Sequence, residues 1–305
     1  MTETDNGVIG IIGGSGLGQA LLEEVRYGKR HDADTPFGRP SAPIVRTQWE
    51  GVEIAFLARH GEGHTFSPTA VPYRANIYAL KSLGVTRIIA SGATGSLREE
   101  IRPRDLVIVD QIIDKTTRRP GTFFDEPGLA VHVEFAAPFC PVLRGTLLSA
   151  ADTVKVGVHD GGTYVCMEGP AFSTIAESRM HRSWGGDLVG MTCMPEAKLA
   201  REAEMCYALI ALPTDYDCWR PHDQSADKQT LLAEIIGNVE AATANCVILI
   251  KAALRAMAEA ARSGSEQEAC ACRDALRLAI WTNRASITPE LVAHYGVLSS
   301  RQVAP

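Results

Sequence analysis

The chain lacks an excess of positive charge. Its 305 residues carry 30 Lys and Arg against 36 Asp and Glu, a formal net charge of −6. That balance argues against a general nucleic-acid binder, though a local basic pocket remains open to it. A secretory leader is not expected either, because Met1 to Asn6 are polar and acidic; a cytoplasmic protein is the expectation. No uncharged apolar run reaches the length of a membrane span. The eight cysteines are scattered without zinc-site spacing, so no metal and reduced thiols are expected. One pair, Cys270 and Cys272, stands apart: it suits a strained bridge, a metal, or two thiols opening a helix. Nucleotide-loop fingerprints are missing as well. Gln19 stands where a third glycine would follow Gly14 and Gly16, and no Gly-Lys-Ser/Thr follows the turn.

What is present is an alternation of apolar runs and glycine-rich turns. Val8–Ile12 leads into Gly13-Gly14-Ser15-Gly16, and 51–58 leads into Arg59-His60. The segment 87–90 leads into a turn from Ser91 to Ser96. Further strands are expected at 105–113, 162–167, 188–191 and 206–212, with helices over 19–25 and 71–83, from Pro195 onward and across 231–257. In the last helix, Leu231, Leu232, Ile235, Ile236, Val239, Ile248 and Leu254 are the expected core positions. This order predicts an α/β fold, a single domain with a central mixed β-sheet flanked by helices. Residues 1–262 form the domain. Residues 263–305 form an extension packed on it, read as a helix plus a tail.

In such sheets ligands sit beyond the carboxyl ends of the strands, and the polar motifs fall there. The glycine turn presents backbone N–H groups to an anion, and Arg59 with His60 adds donors. Phe172, after Glu168-Gly169-Pro170, suits a flat ring, and Met191 offers a soft apolar contact beside Thr192. Asp215 and Asp217 follow a buried strand two residues apart, hence on one face. Mutual repulsion and burial are expected to raise the pKa of at least one, which suits a proton donor. Together these describe an anion site beside a flat pocket with acids at its far wall.

The motifs Gly13-Gly-Ser-Gly-Leu17, Asp34 to Gly38, Ala58-Arg-His-Gly61, Gly95 to Glu100, Glu168-Gly-Pro170, Met191-Thr192 and Thr214-Asp-Tyr-Asp-Cys-Trp219 closely resemble the S-methyl-5'-thioadenosine phosphorylases, in the trimeric branch of the purine nucleoside phosphorylases. The resemblance runs in order over residues 8 to 257. It implies that Ser15, Arg59, His60, Ala93 and Thr192 hold phosphate and that Met191 lies against the ribose. Phe172 and Ser173 contact the base, and Asp215 and Asp217 face the purine N7 and 6-amino group. His132 reaches a neighbouring subunit's site. Asp215 is the expected proton donor. The resemblance further implies phosphorolysis of methylthioadenosine with phosphate as co-substrate, no metal or organic cofactor, and a homotrimer or a hexamer. A broader purine nucleoside phosphorylase is the alternative. Three positions depart from the family pattern: Gly190 replaces a polar residue, Gly92 a hydroxyl residue and Lys228 an apolar one.

Overall fold

The computed structural model describes residues 7–220, 228–263 and 270–299. Among them eleven strands form one mixed sheet: β1 Val8–Gly13, β2 Lys29–His31, β3 Ile44–Trp49, β4 Val52–Ala58, β5 Val85–Ser96, β6 Leu106–Ile108, β7 Gln111–Asp114, β8 Val158–Asp160, β9 Thr163–Cys166, β10 Leu188–Gly190 and β11 Cys206–Asp215. The helices are α1 Leu17–Glu24, α2 Tyr73–Ser82, α3 Pro141–Ser149, α4 Ile175–Ser183, α5 Cys193–Glu202, α6 Lys228–Ser263 and α7 Pro289–Tyr295. In α5, Met194 is extended (φ −113°, ψ 137°), so the regular helix starts at Pro195, where the missing N–H costs nothing.

Four central strands run in parallel: β1 with β4 and β5, and β5 with β11. Their carboxyl ends therefore share one edge. The strand β5 is 12 residues long, and its end turns to pair antiparallel with β10, Gly95 opposite Val189. Continuing that register carries residue 192 back toward residue 92. The edge thus receives polar segments from β1, β4, β5, β10 and β11. Burial explains the sequence pattern: β1, β6 and all of β11 except Asp215 are buried, so they read as apolar runs without alternation.

Several expectations need correction. The run 105–113 is two short strands, β6 and β7, with different partners. Strands β2, β3 and β8 and helices α3 and α4 were not anticipated. Helix α6 buries Asn238, Ala242, Thr243, Cys246, Leu249, Ile250, Ala253, Leu254 and Met257, whereas Leu232, Ile236 and Ile248 are exposed. Of the expected core positions only Leu254 is fully buried. The inner face of α6, packed on β11, mixes Ala242, Cys246 and Ala253 with Leu249, Ile250, Leu254 and Met257. By length and apolarity α6 passes as a membrane span, although half of its most apolar window is buried within this fold. The described extension contains 3₁₀ turns and the short α7 rather than one helix, and its Cys272, Leu276, Ile287, Tyr295 and Leu298 belong to the same core cluster as the sheet. The scattered cysteines also change meaning, since four of them meet: Cys140, Cys206, Cys270 and Cys272.

Candidate active site

The glycine turn after β1 is forced by crowding. At Gly14 a methyl group would meet the Arg59 Nη1 and the Ser91 carbonyl oxygen, both at 2.7 Å. Gly16 has φ +84°, a left-handed conformation that side chains disfavour. Ser15 lies between them, half-buried.

Arg59 is completely buried at the end of β4. Its Nε and Nη2 donate to the two carboxylate oxygens of Glu196 at 2.7 and 2.8 Å, and Nη1 donates to the Ser91 carbonyl at 2.7 Å. The Tyr207 hydroxyl donates to the same carboxylate at 2.7 Å. Burial opposes the charge on Arg59, but the Glu196 carboxylate outweighs it and raises the guanidinium pKa. The doubly donating side of Arg59 expected for phosphate is thus taken by Glu196; one N–H on each terminal nitrogen remains for another anion. Glu196 has no motif to announce it and escaped the sequence reading.

His60 is also buried. Its Nδ1 donates to the Phe66 carbonyl at 2.8 Å, which leaves Nε2 of the neutral ring as an acceptor. Burial, then the Arg59 charge, lowers its pKa to about 4. At neutral pH the His60 ring therefore accepts rather than donates, against the expected donor role. Its ring stacks on His64 at 4.3 Å.

Thr192, at the start of α5, points toward β5, where a methyl group at Gly92 would lie 3.4 Å from its Oγ1. Gly92 thus lies against that hydroxyl. Ala93 follows at the next position of β5. The buried Thr94 Oγ1, without a partner among the described residues, shares the Gly92 side of the strand. Ser15, Arg59, Gly92–Ala93 and Thr192 are therefore brought together by Gly14 and the end of β5.

The loss of a polar side chain at 190 has a structural answer. A Cβ at Gly190 would coincide with the hydroxyl of Tyr164, which is fully buried on β9 and faces the Thr192 amide at 3.5 Å. Tyr164 returns a polar atom to the place that Gly190 vacates. Met191 packs on Gly169. A second buried arginine, Arg119, holds this corner: it donates to the carbonyls of Glu168, Met191 and Met194 and to the Glu168 carboxylate at 3.2 Å. Burial pushes the Glu168 carboxyl up, but the Thr69 hydroxyl, the Thr117 and Arg118 amides and Arg119 hold it at about 2.

The acids lie at the far end of β5. A methyl at Gly95 would lie 3.1 Å from the Asp217 Cβ and 3.2 Å from the Asp215 Oδ1. The turn is anchored on three sides: Asn238 of α6 donates to the Thr214 carbonyl at 2.8 Å, Trp219 Nε1 to Ser96 at 2.8 Å, and Tyr216 to Glu99 at 3.3 Å. Asp215 accepts from the Thr214 hydroxyl and the Asp217 amide, both at 2.7 Å. Asp217 has φ +50° and a buried Oδ2 with no partner among the described residues. That oxygen is an acceptor left open to a further donor. Ser173 joins this group, its carbonyl accepting from Cys218 Sγ at 3.3 Å. Phe172, 87% exposed, presents a bare ring. His132 stands apart, its ring tilted at 57° against Trp281 of the extension with centroids 4.7 Å apart. Lys228 begins α6, and its side chain lies outside the described residues.

Residues 8–255 match the model of the phosphorylase superfamily. The chain is 48% identical over 284 residues to S-methyl-5'-thioadenosine phosphorylase of Geobacter sulfurreducens, covering 93% of this chain and 94% of that one. This chain belongs to the S-methyl-5'-thioadenosine phosphorylase family. Solved structures agree in fold. A methylthioadenosine phosphorylase from an antarctic soil metagenomic library superposes with a TM-score of 0.82 at 43% identity, over 96% of this chain and 99% of that one. The Schistosoma mansoni methylthioadenosine phosphorylase in complex with adenine gives 0.74 at 34%, over 86% and 99%. In this phosphorylase the Gly14 turn, Arg59, Gly92 and Thr192 gather at one stretch of β5, and Asp215 and Asp217 lie against Gly95 of the same strand.

Proposed function

We propose that the chain catalyses phosphorolysis of S-methyl-5'-thioadenosine, giving adenine and S-methyl-5-thio-ribose 1-phosphate. The carrying observation is the placement of two chemistries along one strand. The anion cluster meets β5 at Gly92 and the acid pair meets it at Gly95. Three residues of strand span about 10 Å, the reach of a phosphate, a pentose and the near edge of a purine in line.

Phosphate binds among the Gly14–Ser15 turn, the free N–H groups of Arg59, Ala93 and Thr192, with His60 Nε2 accepting from a protonated phosphate oxygen. It attacks C1′ as the glycosidic bond breaks. Met191 lies against the ribose, and Phe172 and Ser173 against the base. The departing base gathers negative charge, and a proton at N7 relieves it. Asp215 supplies that proton, with Asp217 beside it to accept from the 6-amino group. An ionised carboxylate also accepts from a 6-amino group but repels a 6-oxo group, which selects adenine. The complex of a relative with adenine supports this choice of base.

The reaction uses phosphate as co-substrate, with no organic cofactor. The protein acts in the cytoplasm as a homotrimer or a hexamer of two trimers, in which His132 reaches a neighbouring site. The test is release of free base from methylthioadenosine, adenosine and inosine, with and without phosphate. Adenine release from methylthioadenosine that requires phosphate, and falls about 10²–10⁴-fold in Asp215→Asn or Asp217→Asn, is expected. Preference for inosine, or release without phosphate, would refute it.

A further inference from the structure

Four cysteine sulfurs converge on the side of the sheet opposite in sequence to the acid pair, at the start of β11. Cys140 caps α3, Cys206 is the first residue of β11, and Cys270 and Cys272 flank Ala271 in the extension. Their four Sγ atoms all lie within 4.8 Å of one another, and Cys140 Sγ lies 3.3 Å from Cys270 Sγ. A disulfide would bring two sulfurs to about 2.05 Å. A tetrahedral zinc ion with Zn–S of about 2.3 Å spaces its sulfurs about 3.8 Å apart, within the separations present here. Three of the cysteines are buried and the fourth is half-buried.

The surroundings suit thiolates. Cys140 Sγ accepts from the Leu143 amide at 3.4 Å, at the amino end of α3, where backbone N–H groups and the helix dipole favour negative charge. Arg87, opposite Cys206 in the β5–β11 register, brings a guanidinium near Cys206, Cys140 and Cys270. Four thiolates around one divalent ion leave two negative charges, which such a cation partly offsets.

We propose that Cys140, Cys206, Cys270 and Cys272 form a structural zinc site. Four thiols bind one Zn²⁺ and release four protons, with no change in oxidation state. The closed ligand set leaves no open coordination position, as in structural sites. The site staples the extension to the sheet. From there the extension holds the loop that carries His132: the His132 amide donates to the Ala279 carbonyl at 2.8 Å, Trp281 donates to Ala130 at 3.0 Å, and the Ala130 amide donates to Thr282 Oγ1 at 2.7 Å.

The test is elemental analysis of the full chain, produced with zinc in the medium and purified under reductant without chelator. About one zinc per chain is expected, kept through dialysis. The Cys270→Ser/Cys272→Ser variant should hold essentially none, while Cys246→Ala, whose thiol lies outside the cluster, keeps it. Parent protein reloaded with Co²⁺ should show intense sulfur-to-cobalt charge-transfer bands and the ligand-field bands of a tetrahedral sulfur site, a readout independent of any variant. Hydrogen exchange at residues 130–133 should quicken when the metal is stripped. Folded parent protein that takes up neither Zn²⁺ nor Co²⁺ under reductant would overturn the proposal. So would disulfides among these four residues in protein prepared anaerobically.

Discussion

Replacing Glu196 by Gln tests the central electrostatic argument. Arg59 and Glu196 have side-chain exposures of 0% and 1%, so their pairing is not screened by bulk solvent. Gln offers one acceptor where the carboxylate offered two, and it turns an amide donor toward a donor. Breaking a buried pair by altering one partner costs about 3–5 kcal/mol, because the remaining charge stays buried. At roughly 2 °C per kcal/mol for a chain this large, the melting temperature falls by roughly 6–10 °C. The exposed pair Arg26–Glu23, at 58% and 71%, serves as the control; Glu23→Gln should cost about 0–1 kcal/mol. The assay is thermal unfolding in a non-phosphate buffer, repeated with inorganic phosphate. Added phosphate should raise the melting temperature more in Glu196→Gln than in the parent, since the anion then faces a guanidinium no longer shared with a carboxylate. A fall no larger than the surface control, or equal phosphate shifts in both proteins, would refute the reasoning.

Gly190→Ala should cost about 1–3 kcal/mol by overpacking against Tyr164. Tyr164→Val in the same chain should recover most of it, so denaturant unfolding of the two single variants and the double should show a clear coupling; additive costs would show that the two positions do not share one space. His60, held at about 4 against an ordinary 6.5, stays neutral through the physiological range. Its lowered pKa contributes stability that is full above pH 6.5 and is lost as pH falls through 4. NMR titration should find the His60 ring unchanged from pH 8 to 6, and a midpoint near 6.5 would contradict its burial.

The edge of the sheet was legible because glycine turns and polar residues interrupt apolar runs at β1, β4, β5, β10 and β11. Motifs local in sequence, such as Thr214 to Trp219, pointed to the acid pair, but only Asp215 ends β11; Asp217 lies beyond it in a turn at φ +50°, not on a strand face. The rest depends on contacts with no local trace. Glu196 lies 137 residues from Arg59, and Arg119 donates to the Glu168 carbonyl and carboxylate and to the Met191 and Met194 carbonyls without a spacing to announce it. Strand β2 is three residues of exposed or half-buried polar character and carries no alternation. In α6 apolar size misleads, because Leu232, Ile236 and Ile248 are exposed while Ala242, Cys246 and Ala253 share the inner face with Leu249 and Ile250. Gly190 reads as a loss until Tyr164, 26 positions earlier, is seen to fill its space.

The bidentate hold of Glu196 on Arg59 also bears on inhibitor design. An anion shaped to clamp a guanidinium along its Nε edge meets a carboxylate already seated there. At the proposed phosphate site, a mimic is therefore expected to approach the terminal nitrogens of Arg59 rather than its Nε edge. Charge alone is a poor handle in such a pocket, since every added negative group on that side also faces Glu196.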